Sequence, residues 1–497
     1  MHVNYKKDDL ITVLIEDMGT DGEGIGKIDG FTFFIKDAVI GDQVQAKIMK
    51  VKKGYAYAKL LHILVPSSDR TTPLCNVHRQ CGGCQIQALT YTAQLAFKTR
   101  KVKNNLVRIG GFLLDQINQA MEPIVGMQSP YHYRNKAQFP VGIDKNGQFV
   151  TGFYAGRTHD IIANTDCLLG VKENQIILET ILTYMRENGI SPYIEQTGQG
   201  IIRHILLKKG FATGEIMVCI IINADTLPQA DKLVKLLQKI DGIVSISINI
   251  NKQKTNVIMG EKVCLLWGKD TITDLLSMRN DKDIHVDKVP LIQDSIKKSN
   301  EEYLSYGDSI CFAISPHSFY QVNPIQTEKL YSIAVDYAGL TGTETVWDLY
   351  CGIGTISLFM SRKAKHVYGV ERVEQAVLDA QQNAARNNIH NATFYVGKAE
   401  EILPDLYDRE GIYADVICVD PPRKGCDDQC LATIIKMAPK RIVYVSCDSA
   451  TLARDLKYLC TNGYHIDRLR PVDLFPHTVH VECVVLLSHK SNSVINT

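Results

Sequence analysis

The amino-acid sequence predicts an α/β protein of three parts: an N-terminal β-barrel, a central α+β segment and a C-terminal doubly wound α/β domain. Residues 1–63 alternate short apolar runs with glycine-rich turns, which is typical of a small barrel. From about Ser315 to Leu487, strand-like runs alternate with helical runs, which is the pattern of a doubly wound sheet. A chain of 497 residues has room for about two to four domains.

The composition is that of an ordinary globular protein, with 45% hydrophobic and 22% charged residues. The formal net charge of +1 indicates nothing about partners, so any basic surface must be local. Met1–Leu10 lacks the apolar core of a secretory signal, and no apolar run approaches the roughly 20 residues of a membrane span. Fourteen cysteines in such a chain favour reduced thiols, metal ligation or catalysis, and we expect a cytoplasmic protein.

The predicted barrel carries basic and aromatic side chains close together. Between Gln45 and Leu60 there are five lysines and no acid, with five aromatic residues nearby, and the linker at residues 66–73 ends the segment. Lysines pair with phosphates and exposed rings stack on bases, so this segment favours binding of single-stranded RNA. The alternative is a solvated lysine face over an aromatic core. The residues are Lys47, Lys50, Lys52, Lys53 and Lys59, with Phe31, Phe33, Phe34, Tyr55 and Tyr57.

A cysteine cluster follows the linker. Cys75, Cys81 and Cys84 have the spacing C-x5-C-x2-C, with two glycines that let the backbone wrap around a ligand. The pattern predicts a metal or iron–sulfur site. Such a site is able to have a purely structural role, in which it stabilises the fold. The residues by themselves leave His78 and Cys167 open as the fourth ligand, and zinc held by four thiolates is the alternative to iron.

A second basic run, from Ala88 to Leu114, predicts an amphipathic helix that either contacts RNA or presents a solvated face. Its basic residues are Lys98, Arg100, Lys101, Lys103 and Arg108, and its apolar side comprises Leu95, Val102, Leu106 and Ile109. Residues 128–310 mix short strand-like and helical runs. Within them, Arg134 and Lys136 are candidate phosphate contacts.

The stretch VWDLYCGIGTISLFM predicts a site for a nucleotide-like cofactor. Asp348 closes a strand, and Gly352 and Gly354 form the turn into a helix where a ligand approaches the backbone closely. Ser357 holds the last position of a dinucleotide fingerprint, which weakens a nicotinamide interpretation. Glu371 ends the next strand, where a carboxylate accepts both ribose hydroxyls. The arrangement favours S-adenosylmethionine, with a nucleotide-binding oxidoreductase as the alternative.

Two further strand ends carry reactive groups. In CVDPPRKG, a rigid Pro-Pro turn fixes Asp420 at the carboxyl end of a strand, where ligands of α/β domains bind. Amino-methylating enzymes have a similar element followed by an aromatic residue, and Arg423 stands there instead, so amino-methylation is the second choice. In YVSCDSATLARDL, Cys447 lies between a strand and a helix that Asp448 or Ser449 caps, which suits a nucleophile.

The motifs CGIGTISL, DPPRKG, VSCDSATLARDL and FPHTVHVE, in this order, resemble the RNA 5-methyluridine methyltransferase family, specifically the bacterial 23S rRNA uracil-carbon-5 enzymes. The resemblance covers nearly the whole chain and implies a TRAM barrel at 1–65, a central iron–sulfur and RNA-binding domain at 70–310 and a Rossmann-like methyltransferase domain at 311–489. It implies the methyl-donor positions Gln321, Tyr350, Glu371 and Asp420, the nucleophile Cys447, the base Glu482 and the [4Fe-4S] ligands Cys75, Cys81, Cys84 and Cys167.

The chemistry of uracil agrees with these roles. Carbon 5 is a poor nucleophile until a thiolate adds to carbon 6, and a base must then remove the proton from carbon 5. Glu482 lies in an otherwise apolar strand, where burial raises the pKa of a carboxyl group toward neutrality. We expect a monomer that flips its target base. The alternatives for the protein are a transfer-RNA T-loop target and a non-catalytic RNA-binding iron–sulfur protein. For Glu482 itself, the alternative is a structural salt bridge.

Overall fold

The computed structural model describes residues 5–156, 158–279, 284 and 309–490. It divides into two compact units. The first unit is drawn from residues 1–100, 152–164 and 475–480, and the second from residues 101–151, 165–474 and 481–497. Because the description omits residues 280–283 and 285–308, part of the central segment predicted at 128–310 lies outside the described residues. None of the described helices has the length and apolar character needed to cross a membrane.

The N-terminal residues form a closed five-stranded barrel in the order β1-β2-β3-β5-β4. Alternate residues of its strands point inward, so that Val13, Ile35 and Ala46 fill the interior while their neighbours face outward. Closure gives each of these five described strands a partner on both sides. The strands are β1 Leu10–Met18, β2 Gly24–Ile28, β3 Phe31–Lys36, β4 Gln43–Val51 and β5 Tyr55–Val65.

The central residues form a mixed seven-stranded sheet in the order β12-β11-β10-β9-β6-β7-β8, and β13 pairs with β14 in a separate ribbon. The strands are β6 Lys136–Ile143, β7 Phe149–Tyr154, β8 Ile161–Ala163, β9 Ile202–Lys209, β10 Ile216–Ile222, β11 Ile243–Ile250, β12 Lys262–Gly268, β13 Ile272–Ser277 and β14 Ser309–Ile314. The helices before and among them are α1 Tyr91–Asn105, α2 Leu114–Ala120, α3 Glu173–Glu187 and α4 Ala230–Leu237.

The C-terminal residues form a second seven-stranded sheet, in the order β17-β16-β15-β18-β19-β21-β20. Its first five strands are parallel, and β21 runs antiparallel to both β19 and β20. The strands are β15 Thr345–Leu349, β16 His366–Glu371, β17 Ala392–Val396, β18 Val416–Val419, β19 Arg441–Ser446, β20 Tyr464–Val472 and β21 Glu482–His489. The helices are α5 Pro324–Ala338, α6 Thr355–Ser361, α7 Glu374–Arg386, α8 Ala399–Glu410, α9 Asp428–Met437 and α10 Ser449–Thr461.

The predicted fold class is confirmed by the barrel and by the alternating α/β sheet, although the sequence pattern missed β20. Charged residues interrupt that strand, so its apolar signal is weak. The predicted helix over 88–114 is shorter than expected: α1 ends at Asn105, and a π-helical turn follows it. The interpretation of its basic side was wrong for Lys98, which is fully buried and donates to the Phe475 carbonyl at 2.9 Å.

Candidate active site

The predicted reactive residues meet at one edge of the C-terminal sheet. Parallel strands all end at the same edge, and β21 begins there because it runs the opposite way. The chain order reverses between β15 and its neighbours β16 and β18, which opens a crevice at this edge in doubly wound folds. The sequence elements that carry the predicted site therefore converge at the position where such folds bind ligands.

The turn after β15 has the shape of a cofactor cradle. Gly352 and Gly354 have φ angles of 54° and 81°, which few other residues adopt without strain. A Cβ atom on Gly352 would meet no atom within 4 Å, so open space lies above its backbone. At the end of β16, Glu371 accepts a hydrogen bond from the Gly352 N–H at 3.3 Å and one from the Val373 N–H at 3.0 Å. The turn after β15 and the carboxylate of Glu371 therefore line the same open space.

Asp348 lies beneath this turn with only 1% of its surface exposed. The Ser357 hydroxyl donates to its Oδ2, while its Oδ1 has no hydrogen-bond partner within the described part of the chain. Burial raises the pKa of Asp348 to about 7, and the negative charge of Asp420 adds to the rise. A buried acceptor without a donor is costly, so Oδ1 indicates where a polar group of a ligand binds.

Tyr350 follows β15 with a φ angle of 68°, which is unusual for a residue other than glycine. Its N–H donates to the Val370 carbonyl at 3.0 Å. Its ring packs with the core that contains Trp347, and its hydroxyl hydrogen-bonds the thiol of Cys430. Burial raises the pKa of this tyrosine, and Cys430 raises it further. The backbone of Tyr350, more than its ring, therefore shapes the turn after β15.

The segment after β18 is clasped by the helix that follows Cys447. Arg454 Nη2 donates to the carbonyls of Lys424 and Cys426 at 2.9 and 3.1 Å, and its Nε donates to Asp455 at 2.7 Å. Asp455 is fully buried and also accepts from the Cys426 N–H at 2.9 Å. A Cβ on Gly425 would lie 2.5 Å from Asp455 Oδ2, so only glycine fits there. These contacts fix the course of the loop from Asp420 to Cys426.

Cys447 is the first residue beyond β19, and the predicted cap of the next helix is confirmed. Asp448 Oδ1 accepts from the N–H groups of Ala450 and Thr451 at 2.9 and 3.0 Å. The half-buried thiol has a pKa raised to about 12, because burial disfavours the thiolate and the nearby carboxyl groups, Glu482 foremost, repel it. Arg423 acts in the opposite direction. The helix terminus therefore does not make Cys447 acidic in the free protein.

Glu482 begins β21 and is 4% exposed. Ser446 pairs with Cys483 across β19 and β21, so the next position along each strand sets Cys447 beside Glu482. Burial raises the pKa of Glu482 to about 8, Asp420 raises it further, and Arg423 lowers it. Burial also raises the pKa of the half-buried Asp420 to about 6. A thiol and a carboxyl group that ionise near each other suit nucleophilic and base chemistry.

One site residue escaped the sequence prediction. Tyr331 of α5 is 3% exposed, and its hydroxyl hydrogen-bonds the side chain of Gln321. The negative charges of Asp420 and Glu482 help to raise its pKa, so this ring stands behind the predicted site and fixes Gln321. Its helix is buried on nearly every side, so the sequence gives no amphipathic signal that singles it out.

The cysteine loop belongs to the first unit. Gln87 joins two of its members: Oε1 accepts from the Cys75 N–H at 3.1 Å, and Nε2 donates to Cys84 Sγ at 3.8 Å. The Gly83 N–H donates to Cys81 Sγ at 3.4 Å. Cys167 belongs to the second unit. Among the described residues, no three His, Cys, Asp or Glu side chains form a group that could hold a metal ion. The predicted metal site therefore stays a prediction.

The barrel separates its aromatic residues into two groups. Phe33 is fully buried, and the ring of Phe31 packs against it at 5.3 Å. Phe34, Tyr55 and Tyr57 form an outer triad with ring centroids 5.6 to 5.7 Å apart. Of the five lysines, Lys47 pairs with Asp8 at 2.8 Å, whereas Lys50, Lys52, Lys53 and Lys59 are exposed. The outer triad and these four lysines form the part of the barrel suited to RNA.

Comparisons with known proteins agree with this arrangement. A family model for tRNA (Uracil-5-)-methyltransferase matches residues 283–490, and a TRAM domain model matches residues 9–61. Uncharacterized RNA methyltransferases of Clostridium tetani and Clostridium acetobutylicum are 44% and 46% identical over 488 and 486 residues, which is 98% of each chain. The structure of the Pyrococcus abyssi tRNA (uracil-54, C5)-methyltransferase in complex with S-adenosyl-L-homocysteine superimposes with a TM-score of 0.72 at 26% identity, covering 96% of this chain and 100% of that chain. The chain is thus a methyltransferase enzyme and belongs to the RNA methyltransferases of the tRNA (uracil-5-)-methyltransferase family.

Proposed function

We propose that this enzyme transfers a methyl group from S-adenosyl-L-methionine to carbon 5 of a uridine in RNA, through a bond between Cys447 and carbon 6 of the base. The observation that carries the proposal is the adjacency of Cys447 and Glu482 across β19 and β21. They lie at the same edge of the sheet as the glycine turn after β15. A protein that only binds RNA needs neither group. The solved Pyrococcus abyssi relative, which holds S-adenosyl-L-homocysteine, supports the choice of donor.

The donor supplies an electrophilic methyl group when it is bound. Glu371 and the backbone of Gly352 face the open space of the cradle, and the unpartnered Asp348 Oδ1 fits a donor of hydrogen bonds. We assign Gln321, Asp420 and the Tyr350 backbone to the same ligand by their family positions. These residues offer hydrogen-bond acceptors and no phosphate-binding cation. The set therefore suits a polar nucleoside that carries a positive charge.

The two reactive side chains divide the work. The Cys447 sulfur bonds to carbon 6, and the electrons of the 5,6 double bond shift toward the carbonyl at carbon 4. Carbon 5 then takes the methyl group, Glu482 removes the proton from carbon 5, and expulsion of the thiolate restores the double bond. With a pKa of about 8, Glu482 is poised to accept a proton near neutral pH. Because the thiol of the free protein holds its proton, that proton passes to water as the sulfur bonds to carbon 6, and Glu482 stays available for the proton on carbon 5.

A trapping experiment tests this scheme. In Glu482→Gln, attack and methylation proceed but the proton on carbon 5 has no base, so the enzyme should stay bonded to methylated RNA through denaturing electrophoresis. Cys447→Ala should abolish methyl transfer, and the double variant should give no adduct. Cys460→Ala, which removes a half-buried thiol at the far end of α10, is the matched control. Methyl transfer by Cys447→Ala would overturn the covalent scheme and favour amino-methylation.

The RNA that we propose is 23S ribosomal RNA, the target of the subfamily that the motifs resemble. Transfer RNA is the second candidate, since the matching family model and the Pyrococcus abyssi relative both carry that substrate in their names. Incubation with labelled donor and each unmodified RNA, followed by mapping of 5-methyluridine, decides between them. Transfer to neither RNA would remove the proposed activity.

We also propose that Cys75, Cys81, Cys84 and Cys167 hold a [4Fe-4S] cluster that organises the central residues. What supports this choice of ligands is that two of the sulfurs already accept N–H hydrogen bonds, which are common around cluster ligands. The protein purified without oxygen should be brown, with iron and sulfide in equal amounts. A colourless protein that holds stoichiometric zinc would contradict this proposal.

We further propose domain boundaries at residues 65, 70, 310 and 311. We also propose that the enzyme is a monomer and that it is cytoplasmic.

A further inference from the structure

Two lysines stand opposite each other in the central sheet. Lys136 of β6 is the register partner of Lys208 of β9 in an antiparallel pair. Directly opposed residues place their side chains on one face of a sheet, where like charges destabilise each other. Burial lowers the pKa of Lys208, and the positive charge of Lys136 lowers it further. A pair of this kind needs a compensating anion or a set of acceptors.

Lys208 has its own acceptors. Its side chain is 3% exposed, and its Nζ donates to the carbonyls of Ser315 and Ser318 at 2.7 and 2.8 Å. Asp379 accepts from the Ser318 hydroxyl at 2.9 Å and offsets part of the lysine's charge. Lys208 therefore fixes the segment that precedes Gln321, and its role is structural.

Lys136 has no such compensation. Its side chain is half-buried, burial alone lowers the pKa of its ammonium group, and no carboxylate within the described residues offsets that effect. A desolvated charge without a partner costs free energy of folding. Replacing it with an apolar side chain of the same length would remove that cost. A charge retained in such a position indicates a ligand of opposite sign.

The position of Lys136 shows which ligand is suited to it. The neighbouring residue, Asn135, donates from its N–H to the Val322 carbonyl at 2.9 Å and from its side-chain amide to the Gln321 carbonyl at 3.0 Å. The segment that Asn135 and Lys208 hold also carries Phe319, which is 66% exposed. A strand whose base enters beside Gln321 would therefore bring its backbone close to Lys136.

We propose that Lys136 binds a phosphodiester of the RNA strand next to the target uridine. This inference rests on the proposed function for the position of that uridine, and on the geometry of β6, β9 and the segment 315–322 for the site itself. Phosphate contacts fix the register of a nucleic acid without reading its sequence. Lys136 would thus position the strand so that one base reaches the catalytic edge.

The test compares Lys136→Met with Lys136→Arg and with Lys145→Met, which removes an exposed lysine from the turn after β6. Binding of a fluorescein-labelled oligouridylate is measured across a salt series, and thermal unfolding is measured on the same samples. Lys136→Met should weaken binding about tenfold at low salt and lower the salt slope by about 0.7, the value for one lost contact on a single strand. It should also raise the melting temperature. Lys136→Arg should retain most of the affinity, and Lys145→Met should change neither quantity.

Three outcomes would overturn the inference. Unchanged binding by Lys136→Met removes the site, and a fall in its melting temperature assigns Lys136 a structural role. Weaker binding of uridine 5′-monophosphate with unchanged binding of the oligomer would assign the site to a free nucleotide. None of these measurements uses the methyl donor, so a failure of the proposed methylation, detected by nucleoside mapping, is distinguishable from a failure of this site.

Discussion

The proposed catalytic edge of the C-terminal sheet, where Cys447 and Glu482 lie, and the outer face of the barrel both present charged side chains, but they hold them in opposite ways. At the catalytic edge, Asp348 and Glu482 are nearly inaccessible, and burial raises their pKa values to about 7 and about 8. On the barrel, Lys50 and Lys59 are exposed to solvent. Buried charges are tuned for proton transfer at a cost in stability, whereas exposed charges contribute long-range attraction that salt screens.

The largest effect is expected from Glu482. It tests whether the buried carboxyl group at the proposed catalytic edge lowers the free energy of unfolding. The pKa of Glu482 in the folded protein, about 8, lies above its ordinary value of 4.5, so the folded state binds the extra proton and stability falls as pH rises between these values. Glu482→Gln removes this loss, and its advantage in unfolding free energy should grow over the same range toward a limit of roughly 5 kcal/mol. Denaturant unfolding at a series of pH values measures it.

Glu410→Gln, at the exposed end of α8, is the matched control and should show no growing advantage. A pH-independent difference between Glu482→Gln and the native protein would mean that the carboxyl group ionises without cost. The contrast between the two regions would then rest on geometry alone and not on desolvation.

A smaller effect is expected from the clasp that fixes the loop after β18. Arg454→Met removes the hydrogen bonds to the Lys424 and Cys426 carbonyls, and half of the Arg454 side chain is exposed, so the fold should persist. The loop carries Arg423, whose charge lowers the pKa of Cys447 and of Glu482. We expect kcat/KM to fall about tenfold. The pH at which Cys447 becomes reactive toward iodoacetamide should rise, as followed by peptide mass spectrometry.

Arg454→Lys should restore part of the activity. The control is Arg409→Met, which breaks an exposed ion pair with Asp405 within α8. If Arg454→Met loses activity while the alkylation profile of Cys447 stays in place, the clasp supports the fold and does not position Arg423.

The smallest effect is expected on the barrel. Tyr57→Ala removes one ring of the outer triad and should weaken RNA binding about fivefold, near the lower limit of ~1 kcal/mol for one stacked base. Leu61→Ala, which shortens a similarly exposed apolar residue of β5, should leave affinity unchanged. Fluorescence anisotropy with a labelled single-stranded RNA measures both. Equal losses for the two variants would make the triad an ordinary apolar surface.

The sequence alone predicted the residues of the proposed catalytic edge because its signals are local. A glycine turn after a strand, a Pro-Pro turn, a thiol between strand and helix and an acid in an apolar strand each depend on a few neighbouring residues. The order of these motifs along the chain indicated the family and the α/β fold, since parallel strands bring their carboxyl ends to one edge. The division of the chain into three parts, which was inferred from composition and periodicity, stays a prediction.

Only the tertiary structure decided what each charge faces. Lys98 belongs to a basic run in sequence but is buried against the Phe475 carbonyl, and Lys47 is paired with Asp8. The rise in the pKa of Cys447, the clasp by Arg454 and the opposition of Lys136 to Lys208 all depend on residues far apart in the chain. Desolvation and pairing are properties of a packed environment, so no local pattern of residues encodes them.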